Sequence, residues 1–187
     1  MFRATALTIT PTRSREGSGA EISDAGGNAL ATCEPDGSVL DRSGKLVLRA
    51  QVRWEGPRHG PAKVAMDISD AGGAMLGTGR VVRYGLGPRA KKATVSIRNP
   101  EDQEVARLEP TDKKGERLSI KSGTGDLATI EVAKVKKGFL SKTRVYTVSL
   151  FGAIPDELRP SVLAAAVRYD AVIKALEAAS LHQSARD

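Results

Sequence analysis

Apolar and polar residues alternate through most of this chain in short runs, and the pattern changes once, near residue 160. Lys45 to Trp54 alternates in this way. Shorter β-branched runs follow at Lys63 to Ile68, Arg80 to Tyr84, Ala93 to Ile97, Arg117 to Ile120, Ala128 to Ala133 and Tyr146 to Phe151. A period of two over four to eight residues predicts half-buried strands. Arg13 to Gly19 and Glu55 to Pro61 lack the pattern and read as exposed loops. So does Gly85 to Lys92, between two of the runs.

From Pro160 to Ala179 apolar residues fall on nearly every helical face, so the segment predicts a helix that is surrounded. Pro160 suits a first helical turn, where its missing N–H does no harm. Arg168, Asp170 and Lys174 interrupt the apolar run, which therefore falls short of the ~18 uncharged residues of a membrane span. The simplest arrangement threads this helix through a closed or nearly closed antiparallel β-barrel, with Leu163, Val167, Ile173 and Leu176 inside. The three charged residues are expected at an open end, Asp170 and Lys174 pairing four residues apart. One domain over residues 1–180, with a polar tail from 181 to 187, accounts for the length.

A repeat supports the hairpin reading. Ile22-Ser23-Asp24-Ala25-Gly26-Gly27 returns as Ile68-Ser69-Asp70-Ala71-Gly72-Gly73, and Ile97 to Arg107 is a looser copy. A degraded fourth copy runs from Ile120 to Ala128. Asp or Asn followed by Gly or Pro is turn chemistry. The segments lack the further carboxylates of a Ca²⁺ loop and the Lys-Ser/Thr of a phosphate loop.

Charge sharpens the picture. The net charge is +7. Arg80 to Arg144 holds 16 of the 29 Lys and Arg but only 8 of the 22 Asp and Glu, so the excess lies in mid-chain. Cys33 is the one cysteine, which excludes an internal disulfide framework and fits a reducing compartment. Its place at a strand end suits a small packed residue. Met1 to Ile9 reads as a strand, not a signal peptide. The expected location is cytoplasmic, with peripheral contact at the inner membrane surface. His59 and His182 stand apart from any nucleophile or acid in a catalytic pattern. The chain offers too few His and Cys for a metal site. No enzyme activity, cofactor or metal is expected.

Two clusters stand out as candidate anion-binding elements. The first is Arg89, Lys91 and Lys92, after Gly85-Leu86-Gly87-Pro88. The second is Lys134, Lys136, Lys137, Lys142 and Arg144 around Phe139 and Leu140. The second predicts a hairpin tip that sets Phe139 and Leu140 into a membrane interface while lysines meet acidic headgroups, each cation contributing ~1 kcal/mol. The plain alternative is a solvated turn whose Phe139 folds back on the barrel. Lys113, Lys114, Arg117 and Lys121 form a third group, diluted by Glu109, Asp112 and Glu116. Nucleic acid is disfavoured, because Tyr84 and Phe139 are the only aromatics in the basic segment.

The ending carries a resemblance. Lys136-Lys137-Gly138-Phe139, Tyr146-Thr147-Val148, Gly152, Pro155, Val162 to Val167 and Asp170, with the Asp/Asn-Gly hairpins before them, resemble the tubby C-terminal-like superfamily. That group includes tubby-like proteins, phospholipid scramblases and LURP-one-related proteins. The resemblance covers residues 4 to 179. It implies a twelve-stranded barrel around a hydrophobic C-terminal helix, and for tubby domains phosphoinositide headgroups bound by basic residues outside the barrel. The chain departs from the scramblases in lacking a Cys-rich stretch and a Pro-rich extension. The leading expectation is a non-enzymatic interaction module for anionic phospholipid headgroups. Alternatives are a scaffold or protein-interaction domain, a basic nucleic-acid binder, and a cytosolic enzyme of unseen mechanism.

Overall fold

The structure, a computed structural model, describes residues 5–14, 17–55, 64–86, 91–137, 141–151 and 154–184. At Lys91, Lys136, Lys137 and Lys142 it describes the main chain alone. Twelve strands follow in chain order: β1 Ala6–Ser14, β2 Gly17–Asp24, β3 Ala29–Cys33, β4 Ser38–Asp41, β5 Leu46–Trp54 and β6 Val64–Asp70. Then come β7 Met75–Leu86, β8 Lys91–Arg98, β9 Glu104–Pro110, β10 Arg117–Ser122, β11 Gly125–Lys137 and β12 Ser141–Leu150. One helix, α1 Arg159–Ser184, ends the chain. Each strand pairs antiparallel with the next, and β1 closes on β12. The expected closed barrel is what forms. The helix is longer than the expected 160–179, and of the loop expected from Arg13 to Gly19, Arg13, Ser14 and Gly17 to Gly19 are paired strand residues of β1 and β2.

The turns between β2 and β3, β4 and β5, β6 and β7, and β8 and β9 share one hydrogen-bond pattern. Asp24, Asp41, Asp70 and Asn99 each donate their N–H to the carbonyl four residues on and accept the N–H three residues on. The side-chain oxygen of each accepts the N–H four residues on. The fourth position takes positive φ, at Gly27, Gly44, Gly73 and Asp102. The Ile22 and Ile68 repeats and their looser copy are three of these turns. Asp41 to Lys45 is a further copy that the sequence comparison missed, because its flanking residues differ.

All these turns lie at one end of the barrel. The helix enters from this same end, since β12 finishes there. Residues Ser161 to Tyr169 are all buried, so no side of this stretch faces water. Leu163, Val167, Ile173 and Leu176 are in the core, as expected. Three consecutive residues, ~100° apart around the helix, bond to three parts of the wall. The Arg168 guanidinium donates to the carbonyls of Ser18, Glu34 and Pro35 at 3.4–3.5 Å, at β2 and the β3–β4 turn. The Tyr169 hydroxyl meets the main chain of Ala93 on β8. Asp170 accepts from the Tyr146 hydroxyl on β12 at 2.8 Å. The barrel therefore surrounds its helix.

At the other end the wall divides into hairpins. The β1–β12 ladder stops at Ile9↔Tyr146. Its next hydrogen-bonding position pairs Arg144 with Pro11, which has no N–H to donate. The β8–β9 ladder stops at Val95↔Leu108, and its register would set Ala93 opposite Pro110. β7 and β11 also outrun β6 and β10, the β6–β7 ladder ending at Ala65↔Arg80 and the β10–β11 ladder at Arg117↔Glu131. Above these points the β7–β8 and β11–β12 pairings continue alone to Leu86↔Lys91 and Lys137↔Ser141.

Candidate functional site

Strand direction decides where the basic residues gather. In an antiparallel meander β7, β9 and β11 all finish at the same end. The β7–β8 hairpin, the Thr111–Glu116 turn and the β11–β12 hairpin thus sit side by side at the divided end. Lys92, Lys113, Lys114, Lys134 and Arg144 lie there, with the main chain of Lys91, Lys136, Lys137 and Lys142. The two clusters and part of the third group therefore share one rim. Arg89, Phe139 and Leu140 lie outside the described residues. The opposite end carries Asp24, Asp41, Asp70, Asp102 and Asp126 together with Arg42, Lys45 and Arg98.

The β11–β12 hairpin sets like charges against each other. Lys134 is the register partner of Arg144, and Lys136 of Lys142. Directly opposed like charges destabilise a strand pair unless something offsets them. Lys134 is offset by Glu116, with Nζ to Oε1 at 3.3 Å. Arg144 lies beside the Tyr146 hydroxyl.

Below the rim the helix charges are arranged differently from expectation. Lys174 pairs with Asp170 at 2.6 Å and donates to Ser18 Oγ at 3.0 Å, as the four-residue spacing predicts. Arg168 reaches the divided end, where β2 begins and β3 turns into β4, but it is enclosed there rather than open to water. It is buried at 6 % exposure, on main-chain carbonyls, and its Nε has no hydrogen-bond partner among the described residues. The physical reason is its partners: the carbonyls of Ser18, Glu34 and Pro35 take up the guanidinium in place of water.

The buried hydroxyls are fixed in their neutral forms. Burial, then the adjacent Asp170 carboxylate, pushes Tyr146 well above the usual phenol range. Burial pushes Tyr169 up to about 12. Their rings meet edge to face at 6.5 Å. Cys33 is buried as a packed residue, and burial raises its thiol. Among the described residues no three His, Cys, Asp or Glu side chains cluster as a metal site needs. Nor is any described helix long and apolar enough to cross a membrane.

Sequence reasoning located the cations but not the rim. The signal that would have shown it is the parity of hairpins: in a closed meander every second turn shares an end. Comparison with known proteins gives no match to a family model, a curated protein or a solved structure.

Proposed function

We propose that this protein is a non-enzymatic module that attaches to anionic phospholipid surfaces through the divided end of its barrel. The single observation that supports this reading is the gathering of Lys92, Lys113, Lys114, Lys134, Lys136, Lys137, Lys142 and Arg144 on three adjacent hairpins at one end. Each cation near an anionic leaflet contributes ~1 kcal/mol, so the set suffices for attachment at physiological salt. The twelve-stranded barrel around a C-terminal helix supports kinship with the tubby-like group, and through it a cytoplasmic, peripheral role.

The test is co-sedimentation with vesicles of neutral lipid alone and with anionic lipid added. Binding that requires the anionic component and fades at high salt supports the reading. Binding indifferent to lipid charge, or unchanged after substitution of Lys136 and Lys137, refutes it.

A further inference from the structure

The wall opens between β8 and β9 into a cleft of about 390 Å³, beginning where Pro110 ends the ladder. One side presents Arg83, Tyr84 and Lys92, the other Glu109 and Asp112. Glu109 turns away to Lys121 at 3.2 Å. Asp112 Oδ1 accepts the N–H groups of Glu116 and Arg117, at 2.9 and 3.4 Å, and its charge meets no cation among the described residues. Arg83 and Lys92 likewise form no ion pair among the described residues. Opposite charges thus face each other across an opening they do not close. A molecule that carries the complementary charge at each end would bridge it.

We infer that this cleft binds a small zwitterion bearing a phosphoryl group and a primary ammonium. Two cations with no ion pair among the described residues match a phosphate monoester dianion, and Arg83 adds a planar fork of donors suited to phosphate oxygens. One carboxylate, Asp112, with no cation beside it among the described residues, matches the ammonium. Tyr84, 38 % exposed, gives the linking carbons an apolar wall. The inference does not rest on membrane attachment, since Lys136 and Lys142 take no part in it.

The test titrates the full chain with O-phosphoethanolamine, inorganic phosphate and ethanolamine by calorimetry. O-phosphoethanolamine is expected to bind at least ~10-fold more tightly than phosphate, a difference of about 1.4 kcal/mol. Asp112→Asn keeps the oxygen that caps the turn and is expected to erase that difference. Arg83→Ala is expected to abolish both affinities, and Lys45→Glu, in the β4–β5 turn at the opposite end, to change neither. A second arm uses phosphatidylcholine vesicles with and without phosphatidylethanolamine. An Asp112-dependent gain on the second vesicle marks a lipid-borne headgroup, and soluble binding without it marks a free metabolite. Equal affinity for phosphate and O-phosphoethanolamine, or no effect of Asp112→Asn, overturns the inference.

Discussion

The Tyr169 hydroxyl accepts the N–H of Ala93 at 2.9 Å and donates to the carbonyl of the same residue at 3.1 Å. A side chain of the central helix thus completes a main-chain ladder that Pro110 cannot continue. Wall and plug are joined where the wall begins to divide.

Tyr169→Phe leaves two buried main-chain groups without partners. The expected loss is ~1–3 kcal/mol for each group that stays dry. Each kcal/mol lowers the midpoint roughly 2–4 °C in a chain of this size. Tyr146→Phe is expected to cost less, because Asp170 keeps its bond to Lys174. Thermal unfolding of the two variants checks the order, and equal midpoints would count against it.

Leu163→Asp puts an unpaired charge at a position 1 % exposed. The expected outcome is loss of the folded barrel, since an isolated buried carboxylate exceeds a typical stability of 5–15 kcal/mol or forces the helix out. Ala178→Asp, at an exposed position of the same helix, is expected to fold normally. Circular dichroism melts of both decide the matter.

A turn glycine and a strand glycine differ in a testable way. A Cβ on Gly77, at φ 155°, would lie 2.2 Å from the Arg98 carbonyl oxygen on the next strand. A Cβ on Gly27, at φ 81°, would meet nothing within 4 Å. Gly27→Ala therefore costs only its left-handed backbone, about 1–2 kcal/mol. Gly77→Ala must also push β7 and β8 apart, and a larger drop in urea midpoint is expected.

Stability should fall at both extremes of pH, with opposite signs. Hydrogen bonds from Asn28 to Asp24, from Ser43 to Asp41 and from Ser38 to Asp36 hold these carboxyls below the usual range. Folded values below unfolded ones mean stability is complete above about pH 4 and is lost as pH falls through the folded values. Tyr146 and Tyr169 are raised, so the folded state keeps protons the unfolded state releases above about pH 10. Their contribution is complete below that pH and is lost as pH rises toward 12. Urea unfolding across pH 2 to 11 should show both limbs, and Tyr169→Phe should flatten the alkaline one.

Much of the fold was legible. Alternation placed the strands, and the all-apolar stretch after Pro160 announced an enclosed helix, because no other packing hides every face. The turn at Asp24 was readable from its side chain, which bonds only to neighbours in sequence. What stayed hidden depends on partners far along the chain. Pro110 looks like any strand end until Tyr169, more than fifty residues later, takes over its bond. Arg168 reads as a rim residue until the carbonyls of Ser18, Glu34 and Pro35 close on it. Arg13, Ser14 and Gly17 to Gly19 are paired strand residues whose Ser, Gly and charged character mimics a loop in sequence. The cations were visible, but the rim they form is a property of closure.

Vesicle binding by variants at the two ends tests the central claim most directly. Lys136→Ala with Lys142→Ala alters the divided end, and Lys45→Ala with Lys121→Ala alters the opposite half. Both pairs remove the same charge. The first is expected to weaken binding to anionic vesicles by about 2 kcal/mol, roughly 30-fold, and the second to leave it nearly unchanged. Equal losses in the two variants, or no loss in the first, would contradict the assignment of the membrane-facing end.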